Sequence, residues 1–232
     1  MDPALQGFTV SHHRTALVAM VLSGLMLTAC SSGAAARPET GRQTVLDRLN
    51  EADHSPYSAA LDAVTRSGTR RLQHMTGRIN LGAPLTGRTT DKTEQYTEDV
   101  VMTRKHVYRR AVGTHGEWQI FSAAVAKGGI PTDRLPQYTR LILDHNGTVH
   151  QGTEPLRVSG RLTPKDIEKV DKTTGRNLRP ATSIDADVWL DKKGRIVRVR
   201  QVIHLPSQPT VHNTLSLTDF KQPISVRVPG AS

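Results

Sequence analysis

Cysteine occurs once in the 232 residues, at Cys30, so an intramolecular disulfide is excluded by counting. Aromatic side chains make up only 4 % of the chain, which leaves Val, Ile, Leu and Ala to fill any interior. No apolar run reaches the roughly twenty residues that a membrane-spanning helix needs. A Gly-rich phosphate loop, a G-x-S-x-G elbow, an H-E-x-x-H pair and a zinc-ligand spacing are all missing, and with them the usual sequence grounds for an enzyme. The histidines from His54 to His212 are scattered, and His145 and His150 flank a turn with no carboxylate or cysteine spaced to complete a metal site. No catalytic residue, metal or cofactor is expected.

Acidic residues are the minority: 21 Asp and Glu against 31 Lys and Arg give a formal charge of +10. Such an excess fits nucleic acid, anionic lipid or a solvated surface. The cations are spread out and lack interleaved aromatics, which argues against nucleic acid. The densest cluster is Lys192, Lys193, Arg195, Arg198 and Arg200. It reads as the wet face of a strand, with acidic membrane headgroups as the functional option.

What is present begins with "LMLTACSSG", Leu25 to Gly33. An apolar run of about twelve residues, Ala16 to Leu27, has signal-peptide length, and Thr28-Ala29 supplies small residues before a cut. Leu27-Thr28-Ala29-Cys30 resembles the lipobox of bacterial lipoproteins, a resemblance that implies acylation of the Cys30 sulfur and a new N-terminus there. The residues alone also admit an ordinary secretory signal cut near Ala29, or a short anchor left uncleaved. The stretch "SSGAAARPETGR" that follows is too poor in apolar side chains to order itself. The expected organisation is a leader over 1–29, a tether over 30–42 and one domain over 43–232.

Within that domain the spacing predicts a short helix from Thr44 to Ala52, then strands over Ser58–Arg66 and Thr69–Leu81 joined at Ser67-Gly68. Further strands are expected over Lys92–Thr103 and His106–Val112. Between Ile120 and Asp144 the apolar residues recur at three and four, which predicts one or two inserted helices. Leu156–Leu162 reads as a strand. Thr163-Pro164-Lys165-Asp166 opens a helix that Gly175 ends.

Three long antiparallel strands follow, with Ile184, Ala186, Val188 and Leu190, then Val197, Val199, Ile203 and Leu205, then Val211, Leu215 and Leu217 on their apolar faces. Asp185, Asp187 and Asp191 read as a solvated face opposite Arg198 and Arg200. The segments "DADVWLDKKGRIVRVR" (Asp185 to Arg200) and "LTDFKQPISVRVP" (Leu217 to Pro229), behind a lipobox, resemble the extracytoplasmic lipoproteins of actinobacteria related to the mycobacterial glycolipid-binding family and to LolA/LolB-type carriers. The resemblance implies an α+β fold: a curved, antiparallel, half-open β-barrel capped by a few short helices, with an apolar cavity for acyl chains. Met75, Ile79, Val188, Leu190, Val197, Val199, Ile203, Leu215 and Leu217 are the expected lining. The partners that follow are the membrane, through a lipid anchor, and a lipid or glycolipid ligand. The competing expectation is a cargo-free interaction or sensor platform engaging an envelope protein.

Overall fold

The computed structural model describes residues 38–52, 56–81, 85–113, 116–122, 134–152 and 154–230. The chain divides into units 1–34 and 35–232, and every described residue falls in the second. Cys30 and the expected leader therefore lie outside the described residues.

In chain order the elements are α1 (Pro38–Ala52), β1 (Tyr57–Ser67), β2 (Arg70–Leu81), β3 (Thr86–Thr93), β4 (Thr97–Met102), β5 (His106–Ala111), β6 (Gln119–Ser122), α2 (Leu135–Asp144), β7 (Thr148–His150), β8 (Leu156–Leu162), α3 (Pro164–Val170), α4 (Lys172–Asn177), β9 (Ser183–Leu190), β10 (Ile196–His204) and β11 (Val211–Lys221). The strands form one curved, unclosed antiparallel sheet in the order β6-β5-β4-β3-β2-β1-β11-β10-β9-β8-β7. It is two meanders joined along β1 and β11, so the first and last strands lie side by side in the middle. The edge strands β6 and β7 are the shortest, which limits the unpaired backbone that each edge offers.

Alternation fixes the two faces. Leu61 on β1 pairs with Leu217 on β11, and Ala63 pairs with Leu215. Val199 on β10 continues the second row, opposite Leu215 on one side and Val188 of β9 on the other. These inner-facing residues meet Val45 and Leu49 of α1, Leu141 and Ile142 of α2 and Ile167 of α3 in one aliphatic core. The main helix–sheet contacts are α1 with β7 and α2 with β8. Among the described residues the helices approach the sheet most closely on its β7–β8 side.

Several expectations change. The strand expected over Lys92–Thr103 is two strands, because the Thr93 hydroxyl accepts from the backbone N–H groups of Gln95 and Tyr96 and closes a turn there. Ile120 and Phe121 lie on β6, not on a helix: their spacing fits either period over so short a run. Ala124, Val125 and the Gly128-Gly129-Ile130-Pro131 break lie outside the described residues. The helix expected from Thr163 to Gly175 is broken at Asp171, whose carboxylate accepts from the N–H groups of Thr173 and Thr174 and caps α4. The first helix begins at Pro38, inside the stretch expected as tether, and Arg42 donates to Leu143 O at 2.6 Å on α2.

Candidate functional site: the inner face of the sheet

Eight of the nine expected lining residues share the inner face. Met75 and Ile79 of β2, Val188 and Leu190 of β9, Val199 and Ile203 of β10, and Leu215 and Leu217 of β11 all belong to the aliphatic core or pack on it. Val197 does not belong with them. A bulge between Ile196 and Arg198 leaves Val197 unpaired, and Ile196 takes the inner position opposite Leu190. Ile79 and Leu190 are 0 % exposed. At these positions the residues form the packed core under the helices, while Met75, Ala63 and Met102, half-buried, carry the apolar surface onward toward β4.

One row of this face is polar. Gln201, Asn213, Thr65 and Gln73 are direct neighbours across β10, β11, β1 and β2. Asn213 Nδ2 donates to Gln201 Oε1 at 3.3 Å, and Gln73 Nε2 donates to Asp91 Oδ2 at 2.7 Å. Asp91 lies on β3 opposite Met75, on the same face, and is only 1 % exposed. Glu98 of β4 faces Asp91 and pairs with Arg109 of β5 at 3.5 Å. Thr89, the next inner-facing residue of β3, is 5 % exposed. Asp91 Oδ1, Thr89 Oγ1 and Asn213 Oδ1 are buried without a hydrogen-bond partner among the described residues. Sequence reading missed this row because each strand carries only one or two of its members. The signal available was Gln201 and Asn213, each a polar residue at an apolar parity.

On the outer face the expected basic cluster divides. Lys192 and Lys193 are exposed on the β9–β10 turn, and Arg200 is exposed on β10. Arg195 is held by Asp191 at 2.6 Å and lies 4.0 Å above the Phe220 ring. Arg198 and Arg157 stack on Trp189 at 5.1 and 5.5 Å. The strand carboxylates pair with β8 arginines rather than with Arg198 or Arg200: Asp187 meets Arg157 at 2.7 Å and Asp185 meets Arg161 at 2.6 Å, while Asp185 also reaches His204 of β10 at 2.7 Å. Hydrogen bonding from Arg161 holds the Asp185 carboxyl below the ordinary range against the effect of burial, with His204 adding to it. Arg198 and Asp191 are therefore engaged locally.

The segment after β11 returns over the outer face of β2. Asn80 donates to Ile224 O and accepts from Ile224 N, both at 2.8 Å. Between this segment and the β4–β5 turn lies a depression of about 600 Å³, with Tyr108, Ile224 and Val226 on its walls and Arg104, Lys105 and His106 at its edge. Among the described residues no helix is long and apolar enough to cross a membrane.

The described residues thus form a curved, open antiparallel sheet with a few short helices packed into the core of one face. Among solved structures, the chain is similar to LprF from Mycobacterium bovis at TM-score 0.57 and 14 % identity, over 83 % of this chain and 98 % of that one. A LolA superfamily protein from Nitrosomonas europaea matches at TM-score 0.36 and 7 % identity, over 79 % of this chain and 94 % of that one. A putative outer membrane lipoprotein-sorting protein domain from Vibrio parahaemolyticus matches at TM-score 0.35 and 8 % identity, over 82 % and 95 %. No family model and no curated protein matches the sequence.

Proposed function

We propose that this chain is a lipid-anchored extracytoplasmic lipoprotein that holds a lipid, glycolipid or acyl chain against the inner face of its sheet. The observation that carries the reading is the continuous aliphatic face itself, which runs from Val188 through Val199 and Leu215 to the half-buried Ala63, Met75 and Met102. Burying an acyl chain there needs no reactive group, only apolar area at about 25 cal/mol per Å². The likeness to LprF supports the fold on which the reading rests. The anchor is Cys30, and the exposed Lys192, Lys193 and Arg200 of the β9–β10 hairpin meet acidic headgroups.

The near-complete burial of Ile79, Leu190, Leu215 and Leu217 favours a second reading, a rigid platform with no cargo that engages an envelope protein. Native mass spectrometry of the chain purified from bacterial membranes, followed by organic extraction, separates the two. A stoichiometric lipid lost on unfolding is the expected result. A clean apo mass with no uptake of added phospholipid or glycolipid would leave the platform.

A further inference from the structure

We propose that the depression between the segment after β11 and the β4–β5 turn is a second ligand site, on the outer face, for a single-chain anionic amphiphile. Its acid head meets Arg104 and Lys105, and its chain lies along Ile224, Val226 and Val228. The site is separate from the inner face and does not depend on a lipid being held there.

The segment after β11 supplies an apolar wall. Ile224, Val226 and Val228 occur at every second position, and all three line the depression. Two clasps hold that wall in place: the paired hydrogen bonds between Asn80 and Ile224 at 2.8 Å, and Arg88 Nη2 donating to Arg227 O at 3.4 Å. Tyr108 adds an aromatic surface, with the His106 ring edge-on to it at 6.1 Å between centroids. Val228 stays 41 % exposed, so part of the wall is open to a ligand. A space of about 600 Å³ beside such walls holds one alkyl chain rather than a bare ion.

Charge decides the head. The uncharged polar groups of the site are already satisfied: Asn80 donates to Thr86 Oγ1 at 2.8 Å as well as to Ile224 O, and Thr103 Oγ1 donates to His106 O at 2.9 Å and accepts from His106 N at 3.1 Å. None of them calls for a ligand. The cations differ, because Arg104 and Lys105 are exposed on the turn, no ion pair reaches either among the described residues, and no carboxylate lines the depression. By contrast, Arg78, Arg157, Arg161 and Arg195 are each held by an aspartate. An anion brought to the β4–β5 turn therefore meets two donors and no competing acid, while a neutral or cationic head gains nothing there.

The test is photolabelling of the full chain in phosphatidylcholine nanodiscs with dodecyl phosphate that carries a diazirine on its chain, the modified peptides being mapped by mass spectrometry. Label is expected on 103–108 and 223–228, and it should exceed that from the matching diazirine dodecanol about tenfold, the discrimination of one charge-assisted hydrogen bond. Arg104→Gln combined with Lys105→Gln should lower the label about tenfold. Lys192→Gln combined with Lys193→Gln, the same charge removed from another turn, should leave it within about twofold. Equal labelling by dodecanol, or an Arg104 and Lys105 double variant that labels like wild type, overturns the site. So does loss of the label to excess inorganic phosphate, which would make the turn a bare anion site. Stronger labelling there by a diazirine phosphatidylglycerol placed in the nanodisc would make it a bilayer contact and overturns the site as well. Label confined to the inner face overturns the outer site while supporting the lipid reading of that face.

Discussion

At the scale of single residues, Thr163 and Asp166 do what a start signal requires. The Thr163 hydroxyl accepts from Asp166 N, and the Asp166 carboxylate accepts from Thr163 N at 3.0 Å, a reciprocal capping box with Pro164 in the first turn. Burial alone raises the Asp166 carboxyl, but the hydrogen bonds from Thr163 and Lys169 and the nearby His145 outweigh it and hold it at about 2, from an ordinary 3.8. A carboxyl depressed on folding contributes stability that is complete above its unfolded value and fades as pH falls through the folded one. The contribution from Asp166 is thus present above about pH 4 and is lost on the way to about pH 2. Thr163→Ala should cost about 1 kcal/mol near neutral pH, and Thr163→Ser should restore most of it. Urea titrations at pH 7 and pH 3 check both points, and the Ala variant should show the shallower acid dependence. A Thr163→Ala protein as stable as wild type at both pH values would show that the cap is idle.

At the scale of elements, the β9–β10 turn does more than reverse the chain. Asp191 accepts from Lys193 N and Arg195 N, each at 2.9 Å, and Gly194 has φ +73° in the left-handed region. A Cβ at Gly194 would run into the Arg48 carbonyl of α1, so the turn is also the seat on which α1 rests. Gly68, in the β1–β2 turn, has a similar φ of +56° but open space around it. Asparagine tolerates the left-handed conformation, so Gly68→Asn should stay within about 0.5 kcal/mol of wild type, whereas Gly194→Asn should lose about 1–3 kcal/mol because sterics are added. Thermal melts of the two variants decide it, and equal losses would place the whole cost in the backbone angle. These elements also show what a sequence makes legible. The β9 strand could be read because strict alternation over its eight residues leaves one period possible, and β8, β10 and β11 because enough of the same alternation survives over seven residues or more. The four residues of β6 could not, since so short an apolar run fits a helix as well. Val197 was misplaced because a bulge shifts parity by one residue, and no local residue type announces it. The polar row was invisible for a different reason: it exists only across strands, and register had to be known before Gln201, Asn213, Thr65 and Gln73 became neighbours.

At the scale of the whole molecule, the two meanders bring the first and last strands together at the centre of the sheet, so the chain leaves the centre once, out to the β6 edge, and returns to it once, from the opposite edge at β7. Alternation could establish the faces of each meander, yet it could not say that β1 pairs with β11, because that pairing joins residues some 150 positions apart, such as Leu61 and Leu217. With this architecture α1, which begins at Pro38, enters the body only eight residues after Cys30. If Cys30 carries acyl chains, so short a connection, at most about 3.5 Å per residue, keeps the body within roughly 30 Å of the bilayer surface. A single acyl chain holds a protein only reversibly, and a second chain or a basic patch makes the hold stable. Cys30→Ser in the full-length chain should therefore abolish the acyl mass and move the protein from the membrane fraction, while the thermal melt of the body stays at its wild-type value. Fractionation of expressing bacteria with intact-mass analysis measures both at once. A serine variant that stays in the membrane fraction without acyl mass would mean that the apolar stretch from Ala16 to Leu27 is retained as the anchor. A variant that is released while the wild type carries no acyl mass would mean an ordinary cleaved signal and leave the cysteine without a lipid role.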